Sequence, residues 1–201
     1  MTAPADLRLL AAARHGDTEA LRTALDDGAR VEARDEELRS PLLLAALGDH
    51  VEAARILVAA GADVNAQDSR HDSPWLVTGV TGSVAMMRVL LAADPAPDLT
   101  LRNRFGGISV IPASERGHVA YVRAVLQETA IDVDHVNDLG WTALLEAVIL
   151  GDGGRDHQKV VALLLAAGAD RELADRHGTT ALEHAERRGF QELAALLRDP
   201  A

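Results

Sequence analysis

The chain has 201 residues, 48% hydrophobic and 25% charged, with 31 acidic against 20 basic side chains for a net charge of −11. Such a composition supports a soluble chain with a substantial core, and the negative charge argues against a surface built for nucleic acid or an anionic membrane. The absence of cysteine excludes disulfides, Cys-ligated zinc, Cys-held iron–sulfur clusters and thiol nucleophiles.

The first segment, MTAPADLRLLAAARHG, has its apolar stretch broken by Arg8 and Arg14, so it does not read as a secretory signal. No apolar run approaches the roughly 20 residues that span a bilayer, and a cytoplasmic location is expected. From there the sequence repeats itself. Equivalent positions are Leu7, Ser40, Ser73, Ile108, Thr142 and Thr180, separated by 33, 33, 35, 34 and 38 residues. Five residues after each anchor stands a small residue (Ala12, Ala45, Thr78, Ala113, Ala147, Ala185), and nine after it a turn glycine (Gly16, Gly82, Gly117, Gly151, Gly189), with Asp49 in the second unit. Six units are predicted, at about 6–35, 36–68, 69–103, 104–137, 138–175 and 176–198, within a single domain over 1–201.

In chain order, the first unit lacks a capping start and carries Arg8, Arg14, Glu19 and Arg22 as a polar exterior. Ser40-Pro41 and Ser73-Pro74 begin the inner helices of the second and third units with an N-cap followed by a first-turn proline. The connection Asp94-Pro95-Ala96-Pro97-Asp98 lengthens the third hairpin. Thr142 caps the fifth unit, which then holds a glycine-rich insertion, Gly151 to Asp156, expected to be a flexible loop between its helices. Thr180 caps the last unit, whose Glu183, Glu186, Arg187, Arg188, Gln191, Glu192 and Arg198 provide a polar end. Gly28, Gly61 and Gly168 follow second helices where a left-handed cap is wanted. Helices of about ten residues are too short to stand alone, so they must stack. The expected core residues are Leu21, Leu25, Ile56, Leu57, Val58, Val89, Leu90, Leu91, Val125, Leu126, Leu163, Leu164, Leu165, Leu196 and Leu197, with Trp75 also expected inside.

On these residues the chain resembles the ankyrin repeat family, whose unit is a β-turn followed by two helices with a T-P-L-H-x-A signature. Ser40-Pro41-Leu42 and Ser73-Pro74-Trp75 are nearest to it, then Thr142-Ala143-Leu144 and Thr180-Ala181-Leu182. The signature histidine is absent throughout, replaced by Leu10, Leu43, Leu76, Ile111, Leu145 and Glu183. The resemblance implies an all-α solenoid of six helix-turn-helix units with β-turn fingers. It also implies that fingers and inner helices line a face that binds another protein.

Catalytic signatures are missing: there is no phosphate-binding glycine loop, H-E-x-x-H or G-x-S-x-G, so no enzymatic activity, cofactor or metal is expected. His50, His118 and His157 recur just after the inter-helix turn, which reads as a structural position; His15, His71, His135, His177 and His184 show no metal-ligand spacing. Asp152 and Asp156 lack the ligand count of a calcium loop.

Register places eight arginines on the finger and inner-helix face (Arg14, Arg39, Arg70, Arg104, Arg116, Arg176, Arg187, Arg188) against Glu36, Glu37, Asp72, Glu115 and Asp138, a local net charge of +3. An acidic or mixed-charge protein partner is therefore expected; the alternative is that these arginines are merely solvated. The candidate contact residues are Arg70, Arg104, Phe105, Arg116, Leu139, Trp141, Ile149, Leu150, Arg176 and His177. Two further readings stay open. Leu139 and Trp141 could pack between fingers, with Ile149 and Leu150 under the insertion, or the apolar patch could join copies of the chain, although a monomer is expected. The few aromatics form no stacking series for nucleic acid.

Overall fold

The structure is a computed structural model that describes residues 3–198, so the outermost positions of the expected 1–201 span lie outside the described residues. Among the described residues there are twelve helices and no strand, only an isolated antiparallel bridge between Ala174 and Thr180. The helices form six pairs at the predicted spacing, and the chain divides into two compact units, Met1–Arg104 and Phe105–Ala201.

The first unit holds α1 (Pro4–His15), α2 (Thr18–Asp26), α3 (Pro41–Leu47), α4 (Val51–Ala59), α5 (Pro74–Thr81) and α6 (Val84–Leu91). Inner helices pack in the order α1, α3, α5, outer helices in the order α2, α4, α6, and each inner helix packs on its own outer partner. The second unit repeats this with α7 (Val110–Glu115), α8 (Val119–Glu128), α9 (Ala143–Ile149), α10 (Arg155–Ala166), α11 (Ala181–Arg187) and α12 (Gln191–Arg198). There α7, α9 and α11 stack on the inside, with α8, α10 and α12 outside. Each unit is an all-α helical stack.

Helix starts follow from the predicted caps. Ser40, Ser73, Thr142 and Thr180 accept the N–H of the residue three positions on, at 3.1, 3.2, 3.2 and 3.3 Å, each worth about 1 kcal/mol. Asp17 and Ser83 do the same for outer helices α2 and α6. Missing signature histidines leave no gap, because Leu10, Leu43, Leu76, Ile111 and Leu145 are all buried. At the sixth such position Glu183 closes a capping box, returning its carboxylate to the Thr180 N–H at 3.0 Å.

The core differs from the expected set in a regular way. Leu21, Leu57, Val89, Leu90, Val125, Leu164 and Leu197 are buried, whereas Leu25, Ile56, Val58, Leu91, Leu126, Leu163, Leu165 and Leu196 are half-buried. Successive helical residues point about 100° apart, so an apolar triplet such as Ile56-Leu57-Val58 turns only its middle member fully inward. The inner helices contribute more than predicted, through Leu9, Leu42, Leu44, Val77, Val110, Leu144 and Val148, and Trp75 is fully enclosed as expected.

The insertion is shorter and better anchored than a flexible loop between helices. Only Gly151–Gly154 lies outside helix: Arg155 and Asp156 extend α10, with Asp156 in its first turn, where a carboxylate faces the positive helix end. Asp152 Oδ1 accepts the Gly154 N–H at 2.8 Å and lies 2.8 Å from His157 Nδ1, while Gln158 donates to Gly153 O. The left-handed residue of this turn is Gly153 rather than Gly151. No described helix is long and apolar enough to cross a membrane.

Candidate functional site

Four of the fingers are each built around one side chain. Asp35, Asp68, Asn137 and Asp175 each stand five residues before a helix anchor, and their Oδ1 accepts two backbone N–H groups, two and four residues on, at 2.8 to 3.1 Å. The backbone closes the same hairpin, as in Asp35 N–H to Arg39 O and Leu38 N–H to Asp35 O. This geometry needs a left-handed residue three positions after the first, as in hairpins built on a type I turn with a bulge. Leu38 and His71 occupy it in the first unit, at φ 63° and 61°; Gly106, Gly140 and Gly178 occupy it in the second.

The recurring histidines act at the other end of the inner helices. His50 Nε2 donates to Arg14 O at 3.0 Å and His157 Nε2 to Glu115 O at 2.9 Å, each capping a carbonyl at the end of the previous repeat's inner helix, α1 and α7. The structural reading of that position holds for these two.

In the first unit a cleft of about 530 Å3 lies between α1 and the first finger, lined in part by Leu7, Arg14, Arg34 and Arg39. Its cations are taken: Arg14 and Arg39 both bond Asp35, Arg39 also bonds Glu37, and Arg34 bonds Glu32. Of the predicted contact residues, Arg70 and Arg104 belong to this unit and are exposed. Both act on Asp72, whose carboxyl is raised by burial and by Asp68 and pulled back by the two arginines.

The second unit holds the other eight. Phe105 (50% exposed) and Leu139 (47%) sit on adjacent fingers joined by the Asp138 N–H to Phe105 O bond at 2.9 Å. Arg176, from the next finger, donates to Asp138 O, and His177 beside it is exposed. Trp141, at the base of the Leu139 finger, is half-buried, with its N–H on Asn137. Leu150 is 48% exposed at the end of α9, and Ile149 is half-buried, its carbonyl and that of Val148 capped by Arg188. Arg116, at the end of α7, is exposed and bonds Glu115 at 2.7 Å. Fingers and inner-helix ends thus bring Phe105, Leu139 and Arg176 into one connected strip, with Ile149 and Leu150 on α9 and Arg116 on α7, the inner helix packed beside it.

The sequence reading passes over one group in this region. Glu146, on α9, is 6% exposed, and its Oε1 accepts the Asn137 amide at 2.7 Å. Burial pushes its carboxyl up to about 7, with Glu115 adding to the rise and Asn137 and Arg116 opposing it. The sixth repeat has the complementary pair: Asp175 meets His184 Nε2 at 2.8 Å, and the Thr179 N–H, with His184 and His177, holds its carboxyl down at about 2. The signal for both was present as an acid or amide five residues before each anchor after the first, but hydrophobic periodicity does not weigh such positions.

Comparison with known proteins agrees with the repeat geometry. The family model described as ankyrin repeats (3 copies) matches residues 7–68 and 113–201. The ankyrin repeat protein YahD of Escherichia coli K12 is 50% identical over 101 residues, half of each chain, so this chain spans about half the length of that curated relative. Among solved structures, an ankyrin repeat domain from Acinetobacter baumannii AYE is 45% identical with a TM-score of 0.87, covering 94% of this chain and 95% of the other. The ankyrin repeat protein EF0377 is 37% identical with a TM-score of 0.91, covering 98% of each.

Proposed function

This chain belongs to the ankyrin repeat family, and we propose on that footing that it is a bacterial, cytoplasmic, non-enzymatic binding module that regulates or inhibits a partner protein of acidic or mixed charge. Ankyrin repeats are generally protein–protein interaction modules, and the proposal concerns which surface is used and for what. The observation that supports it is the second unit's set of exposed apolar side chains, Phe105 and Leu139 on joined fingers, with Arg176 bonded to the Leu139 finger, and Leu150 at the end of α9, with Arg116 exposed at the end of α7. Aromatic anchors with arginine nearby are the usual composition of a binding hot spot, here Phe105 and Trp141 with Arg116 and Arg176. The guanidiniums steer acidic groups to the rim, and the apolar residues supply the affinity.

The test is capture of partners from native lysate with the wild type and with Leu139→Ala, Trp141→Ala and Arg176→Ala variants. Loss of the same protein from all three supports the surface; equal recovery overturns it. Light scattering across a hundredfold range of concentration separates a partner-binding monomer from the alternative, in which the strip joins two copies of the chain.

A further inference from the structure

Burying a carboxylate costs several kcal/mol unless cations or hydrogen-bond donors replace its water. Among the described residues, the other carboxylates with buried side chains meet that demand. Asp6 takes three hydrogen bonds from Arg30, at 2.7 to 2.9 Å. Asp68 takes two backbone N–H groups, and Asp175 takes two together with His184. Glu146 takes one, from Asn137. No cation among the described residues lies within salt-bridge distance of it: Arg116 is committed to Glu115 and to Pro112 O, His157 to Asp152 and Glu115 O, His184 to Asp175, and Arg188 to the carbonyls of Val148 and Ile149.

The carboxylate is also oriented. Asn137 Oδ1 is fixed by the N–H groups of Leu139 and Trp141, so its amide can only present Nδ2 to Glu146 Oε1. Oε2 is left over. It is not sealed in the core, because the fully buried side-chain atoms without a partner, among the described residues, are Trp75 Nε1 and Ser109 Oγ. Glu146 stands one helical turn before Leu150, so the two share a face of α9.

We propose that Glu146 is a specificity-determining group of the second unit's binding surface, and that its carboxylate receives a lysine or arginine side chain from the bound protein. The inference rests on the reading of this surface as a protein-binding site and names a feature of the partner: a cation flanked by apolar residues that cover Leu139 and Leu150. A cationic group supplies the donors Glu146 lacks and offsets the repulsion of Glu115. It also displaces the proton that the site holds near neutral pH.

The test uses the full chain and a random peptide library displayed on phage, selected against the wild type. Retained peptides are then measured against Glu146→Gln, which keeps an acceptor for Asn137, and against Leu139→Ala. The expected result is peptides with a lysine or arginine at a constant position, binding at least about tenfold more weakly to Glu146→Gln. Calorimetry at pH 7 in two buffers of different ionisation enthalpy should show proton release on wild-type binding and none with Glu146→Gln. Peptides weakened by Leu139→Ala but indifferent to Glu146→Gln overturn the role of Glu146 and leave the surface standing. Peptides indifferent to both, or no peptides retained, overturn the surface and the role of Glu146 together.

Discussion

The two units use one register and satisfy it with different chemistry. In the first, finger and helix-end carboxylates are met by arginine: Asp35 by Arg14 and Arg39, Glu37 by Arg39, Asp6 by Arg30. In the second, Arg116 still meets Glu115 and Arg198 meets Glu186, but other arginines turn to backbone carbonyls, as Arg176 does to Asp138, Arg188 to Val148 and Ile149, and Arg171 to Leu197. Its inner acids are answered by an amide (Asn137 on Glu146) and an imidazole (His184 on Asp175). The lesson is that repetition fixes where a side chain stands, while its partner decides whether that place is closed or left able to receive something.

The largest expected effect tests what the units share. Leu57 and Leu164 occupy equivalent outer-helix positions and are both fully buried, so Leu57→Ala and Leu164→Ala should each cost about 3–5 kcal/mol in urea unfolding. A cost below about 1 kcal/mol for either would break the equivalence of the two cores.

Next comes the difference in acid–base behaviour. Glu146 titrates at about 7 when folded against an ordinary 4.5, so between these values the folded chain keeps a proton that the unfolded chain has lost. Stability therefore falls as pH rises through that window, and Glu146→Gln should stabilise above pH 7 by up to about 3 kcal/mol, with no gain below pH 4.5. Asp35 has the opposite sign: Arg39 holds its carboxyl below the ordinary 3.8, so its contribution is present above that value and is lost as pH falls further. Asp35→Asn should destabilise at pH 7 and have little effect at pH 2. Thermal melts from pH 2 to 9 distinguish the two slopes.

Finger tips give a smaller contrast. A left-handed conformation costs a non-glycine residue about 1–2 kcal/mol, of which glycine's extra chain entropy takes back about 0.5–1. Leu38→Gly and His71→Gly should each stabilise the first unit by about 0.5–1 kcal/mol, while Gly178→Ala should cost the second unit a similar amount. Matched chemical denaturation curves would show whether the signs are indeed opposite. A contrast of similar size concerns two hydroxyls at helix starts in the second unit. Thr142→Ala removes a cap and should cost about 1 kcal/mol, whereas Ser109 Oγ is buried without a partner, so Ser109→Ala should be neutral or stabilising by less than about 1 kcal/mol.

Most of the fold is legible in the sequence because its determinants are local. Ser-Pro and Thr at constant intervals announce helix starts, and they cap as read. The fate of apolar triplets is less legible, since composition shows that leucines are present but not which one a helix turns inward. The insertion misleads for a related reason: glycine content suggests a loose loop, while Arg155 and Asp156 already belong to α10. At the site, exposure of Phe105, Leu139 and Leu150 follows from register. Glu146 does not stand out, because its carboxyl is raised by burial, which composition does not show, and by Glu115, about thirty residues away, against the pull of Arg116 and of an amide whose orientation the finger sets.

The finger geometry has an evolutionary consequence. Hairpins at Asp35, Asp68, Asn137 and Asp175 close through one carbonyl-type oxygen and the main chain, so the outermost pairs, Glu36-Glu37, Ser69-Arg70, Asp138-Leu139 and Arg176-His177, are under little constraint from folding. Lineages carrying this scaffold can drift at those pairs with little loss of foldedness, and under the binding role proposed above such drift would change the target a hairpin at a time.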